Sequence, residues 1–122
     1  MGYEPIEFAL TIYQGATLRQ EWRLRAGPDE RRAQPVDLTG CKARMQVRPR
    51  LEDAQVLLEL TTENGGIELG GTSGQITLHA SAQATAALDF RRGVYDLELV
   101  RPSGEVQRLF YGPVRLSREV TR

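Results

Sequence analysis

Few side chains in this sequence are equipped for chemistry. It holds one histidine, His79, and one cysteine, Cys41. Nucleophilic catalysis needs a base beside the nucleophile. His79 ends the run "QITLHAS", and Ser81 lies two residues on, on the same face of a strand. No strand-to-helix elbow, oxyanion glycine or placed acid accompanies the two, so His79 reads as a strand-end residue near the surface. One histidine and one cysteine do not make a zinc site, and no Asp-x-Asp-x-Asp-Gly run exists for calcium. The segment "GGTSGQ" at 70–75 lacks the Walker lysine and a following helix, and reads as a turn. Glu59, Glu63 and Glu68 would be the material for a glycosidase pair, but they alternate along strands as a solvated face does. Cys41 alternates with Ala43, Met45 and Val47 and reads as a small buried apolar residue. The expectation is therefore a protein that is not an enzyme, with no catalytic, metal or cofactor-binding residues.

Composition narrows the field further. The 122 residues fit one domain, and a 40% hydrophobic content allows a core without staples. A single cysteine forms no internal disulfide. Lys and Arg together number 16, as do Asp and Glu, so no net positive field exists to hold nucleic acid. No apolar run approaches a membrane span. The N-terminal "MGYEPIEFAL" is acidic and lacks the order of a signal peptide, and Ile6 stands where a myristoylation signal has Ser or Thr. The expectation is synthesis in the cytoplasm, with neither nucleic acid nor membrane as partner.

The elements follow from the alternation of apolar and polar residues. "EFALTIY" at 7–13 and "TLRQEWRLR" at 17–25 alternate strictly around Gln14-Gly15-Ala16, and the two predict a hairpin. Trp22, the sole tryptophan, reads as a core anchor. Residues 26–35, "AGPDERRAQP", predict a mobile loop. Residues 41–48 predict a strand that Pro49 ends. Residues 50–55 predict a polar turn and 56–62 another strand, with Asn64-Gly65-Gly66 as a tight reversal. "IEL" and "QITLHA" predict short strands. The alanine-rich 81–88 predicts one or two helical turns capped by Ser81. Residues 93–101 and 105–112 predict a hairpin around the Pro102–Gly104 turn, and a short final strand follows Pro113. Eight to ten strands at this spacing predict an all-β fold over 1–122: a single antiparallel β-sandwich, immunoglobulin-like or jelly-roll-like, with one short helix.

Contact residues are sought where the core does not need the chain. The segments 1–7, 26–35 and 117–122 are polar and dispensable for the core, and each is read equally as a contact surface or as solvated chain. Lys42 is the sole lysine among the basic residues. Arginine is enriched in interfaces because its planar fork pairs bidentately with carboxylates, so this bias reads either as an assembly signature or as genomic base composition. The candidate interface residues are Tyr3, Tyr13, Arg31, Arg32, Arg91, Arg92, Tyr111 and Arg118. Tyr3, Tyr13, Phe90 and Tyr111 are the aromatics available to a ligand surface.

The stretches "TIYQGATLRQEWRLR", "PVDLTG", "ARMQVR", "LLELTTENGGI", "GQITLHASAQATAAL" and the closing "GVYDLEL" and "PSGEVQRLFYG" carry a resemblance. The chain resembles small structural proteins of tailed bacteriophages and prophages, and is similar to the N-terminal β-sandwich module of phage baseplate upper proteins. The similarity covers nearly the whole chain through turn chemistry and strand pattern. It implies a virion component made in the bacterial host cytoplasm, a homo-oligomer in contact with other tail, baseplate or capsid proteins. In that module a helical or fibre part follows the sandwich, whereas here the strand pattern runs to Arg122. Stand-alone adaptor, tail completion piece and capsid decoration protein are the roles this leaves. A receptor- or carbohydrate-binding module is the alternative, with an immunity or inhibitor protein as a further one.

Overall fold

The structure is a computed structural model and describes residues 4–122. Its strands are β1 (Ile6–Glu7), β2 (Leu10–Tyr13), β3 (Leu18–Arg23), β4 (Arg25–Ala26), β5 (Gln34–Pro35), β6 (Lys42–Arg48), β7 (Leu58–Thr61), β8 (Ile67–Leu69), β9 (Gln75–Ala80), β10 (Arg92–Val100) and β11 (Val106–Ser117), with one α-helix, α1 (Ala82–Ala86). The larger sheet has the order β1-β11-β10-β6-β7, with β2 also on β11, and the smaller one the order β3-β9-β8. The two sheets pack as a sandwich, so the all-β fold with one short helix is observed. The larger sheet is antiparallel except at one edge, where β1 and β2 join β11 in parallel.

Alternation explains which side chains meet. Ala43, Met45 and Val47 on β6, and Tyr95, Leu97 and Leu99 on β10, turn inward against Ile67 on β8 and Ile76 and Leu78 on β9. The same pattern buries Leu10 and Ile12 with Val114 and Leu116. Trp22 is half-buried and anchors one part of this core. Its ring stacks on Phe110 at 4.3 Å and meets the edge of Phe8 at 5.3 Å.

Several local expectations change once the sheets are seen. β2 and β3 are not a hairpin: β2 pairs β11 in one sheet and β3 pairs β9 in the other. Both strands keep an apolar face, and crossing at Gln14–Thr17 lets those faces meet across the core rather than lie side by side. The turn at Asn64–Gly66 likewise passes from β7 to β8, between sheets. It is knit by Asn64, whose Oδ1 accepts the Thr61 and Gly66 N–H groups, while Gly65 supplies the positive φ of 80°. Residues 26–35 form a closed arm, with β4 paired to β5 and a single 3-10 turn at Glu30–Arg32 capped by Asp29.

Pro113 does not break β11, which runs from Val106 to Ser117. The register places Gly112 and Pro113 beside Phe8 and Ala9, the gap between β1 and β2, where no ladder donor is required of Pro113. Gly112 is needed there, because a Cβ on it would stand 2.6 Å from the Phe8 carbonyl oxygen. Tyr95 lies opposite Gly112, and its hydroxyl donates to that carbonyl at 2.7 Å.

Helix α1 is capped by Ser81, whose Oγ accepts the Ala84 N–H at 3.1 Å. Its single buried side chain, Thr85, fastens it to the β2–β3 crossing. The Thr85 hydroxyl donates to the Ala16 carbonyl at 2.7 Å and accepts the Gly15 N–H at 3.0 Å. Thr85→Val keeps the shape and strands both groups. Urea unfolding is expected to show a loss of about 1–3 kcal/mol, and an unchanged midpoint would mean that water replaces the hydroxyl.

Candidate functional site

A groove of about 610 Å³ runs along the outer face of the larger sheet. Its floor is Val94 from β10 with Tyr111 and Pro113 from β11. Outward positions of a solvated sheet normally carry polar residues, so this apolar strip is the departure. Two polar walls flank it. On one side Arg48 donates to the Asp53 carbonyl and to the Gln46 side chain, each at 2.8 Å. Gln46 in turn donates to Glu59 at 2.8 Å. The Arg48 bond holds the 50–55 turn, and Leu51 from that turn lines the groove with 83% of its surface exposed. On the other side stands the Asp96–Arg108 pair at 3.4 Å, with Glu7 beside Tyr111 at the sheet edge.

The Asp96 carboxyl is held above its ordinary value of 3.8, first by partial burial, against which the Arg108 guanidinium acts; the neighbouring Glu98 adds to the rise. A carboxyl raised on folding contributes stability that is whole below 3.8 and is lost as pH climbs through the raised value. Asp96→Asn does not titrate. Its melting temperature relative to wild type is expected to rise as pH climbs from below 3.8 through the raised value, and then to level off. Melting curves that run parallel over that range would show that Asp96 is solvated.

The residues singled out for chemistry are scattered. His79 is exposed on the outer face of the smaller sheet opposite Arg19. The Ser81 hydroxyl is engaged as a helix cap. Glu59 and Glu63 belong to the β7 region, paired with Gln46 and with Lys42 and Thr62, whereas Glu68 lies on the other sheet. Cys41 is half-buried against the core, just ahead of β6. Among the described residues no three His, Cys, Asp or Glu side chains are grouped to hold a metal.

The interface candidates separate into three places. Tyr111 is in the groove. Arg31 and Arg32 are exposed on the 26–35 arm, with Arg32 bound to Asp29 at 2.6 Å. Tyr13, Arg91, Arg92 and Arg118 come together at one end of the larger sheet, where β2 and β11 finish and β10 starts. Tyr3 lies outside the described residues, and Phe90 is half-buried against the core. Sequence reading missed Leu51, Val94, Gln46, Arg48, Asp96 and Arg108. The available signal was Val94, an apolar residue on the outward parity of "GVYDLELV". No family model matches the chain, and no curated protein matches it.

Proposed function

We propose that the protein is a non-enzymatic structural component that works by protein–protein contact, in the tail or baseplate of a phage particle, with capsid decoration as the related role. One observation carries the contact reading: the apolar floor of Val94, Tyr111 and Pro113, with Leu51 beside it, gathered in one groove of the outer sheet face. The phage assignment is supported by the resemblance in strand pattern and turn chemistry. A rigid sandwich presents such a face without ordering cost, and closed symmetry multiplies a modest contact into a stable assembly.

Light scattering across concentration tests this reading. The expected result is a discrete oligomer for wild type, reduced to monomer by Val94→Glu with an unchanged circular dichroism spectrum. A wild type that stays monomeric at every concentration overturns self-assembly through this face.

One feature favours a second reading as a carbohydrate-binding module: the Tyr111 ring shares the groove with the planar polar groups of Gln46, Arg48 and Asp96. A glycan array separates the two. Binding that is lost in Tyr111→Ala selects the sugar reading, and an empty array leaves the contact reading alone.

A further inference from the structure

Two ion pairs join neighbouring strands on the outer face of the larger sheet. Arg44 meets Glu98 at 2.9 Å, and Arg108 meets Asp96 at 3.4 Å. At the far end of the same face the register sets Arg92 of β10 directly opposite Arg115 of β11. The Leu116 N–H donates to the Arg91 carbonyl at 2.9 Å. Arg92 and Arg115 are therefore a non-hydrogen-bonded pair, the kind whose side chains stand closer. Like charges in that position are destabilising, and arginine does not escape by losing its proton.

Nothing nearby relieves the repulsion. Among the described residues Arg91, Arg92 and Arg115 make no ion pair. Asp89 stands 3.9 Å from Arg118 and is itself open to solvent. The Glu119 carboxylate is turned against Gly15. Beside the cluster, Tyr13 at the end of β2 is 60% exposed, next but one to the residue that pairs with Arg115. A chain of formal charge zero thus concentrates uncompensated arginine and an exposed aromatic at one end.

We infer that this end is a docking surface for an acidic segment of a partner protein. Aspartate or glutamate side chains between Arg92 and Arg115 take the bidentate geometry that guanidinium offers, and Tyr13 supplies the apolar contact beside them. A nucleic acid fits less well, because phosphate binding draws on a positive field spread over many contacts and the cluster spans only the ends of two neighbouring strands. The inference rests on the contact reading above but uses the arginine pair that borders the groove, not its apolar floor.

Fluorescence anisotropy of the full chain with a labelled Glu/Asp-rich peptide tests it, with a short DNA duplex alongside. The expected result is salt-sensitive peptide binding, weakened at least roughly tenfold in Arg92→Gln/Arg115→Gln and unaffected by the uncharged groove substitution Val94→Ser. The double variant is expected to melt no lower than wild type, since it loses a repulsion. Three results overturn the inference: no peptide binding at low salt, equal binding by the double variant, or tighter binding of the duplex. Loss of peptide binding beside intact self-assembly removes this surface and spares the contact reading. Peptide binding by a chain that never self-assembles keeps the surface and removes assembly through the groove.

Discussion

One extra residue in β11 sets the arrangement of everything around it. Leu97 pairs with Phe110 while Glu98 pairs with Arg108, so Leu109 is a bulge. Leu109 and Phe110 both turn into the core, and Phe110 meets Trp22 there. Arg108 and Tyr111, three apart and so on opposite faces of a regular strand, both turn outward. A strict alternation would send one of them inside. The Asp96–Arg108 wall and the Tyr111 floor can share a groove only because the ladder slips once between them.

The sandwich is also held by groups that bridge its far corners. Gln14 donates to the Leu88 carbonyl and accepts the Glu119 N–H, each at 2.9 Å. That one side chain joins the β2–β3 crossing, the end of the helical segment and the chain beyond β11. Thr85 makes the parallel connection from the helix side. Polar groups placed this way satisfy backbone that a hydrophobic core alone would leave unpaired.

Much of this was legible in the sequence, and the failures share a cause. β6, β9, β10 and α1 fall within a residue or two of their expected limits, because each is specified by its own alternation or its own cap. The β10–β11 hairpin was legible too, since its turn residues lie between its strands. The β2–β3 hairpin was not, because a glycine turn between two alternating runs says that the chain reverses but not whether its flanks pair or face each other across a core. Pro113 misled for a similar reason: its missing donor points at a gap made by Phe8 and Ala9, distant in sequence. The groove was hidden because a bulge moves side chains between faces. The Arg92–Arg115 opposition is a fact of register, which residues on one strand do not record.

The parallel edge has a consequence for how the chain acquires its shape. Among the described residues β1 and β2 have β11 as their only ladder partner, and β11 is ten strands on from β1 in chain order. On the ribosome, Leu10 and Ile12 emerge early and wait beside an incomplete sheet until nearly the whole sandwich has followed them. Such non-local pairing delays closure, because the entropy of joining distant segments is lost before their contacts form. The nascent chain therefore cannot complete the larger sheet stepwise as it leaves the tunnel. Its first apolar strands stay unpaired until β11 has been made, and β11 is the strand that shuts the larger sheet.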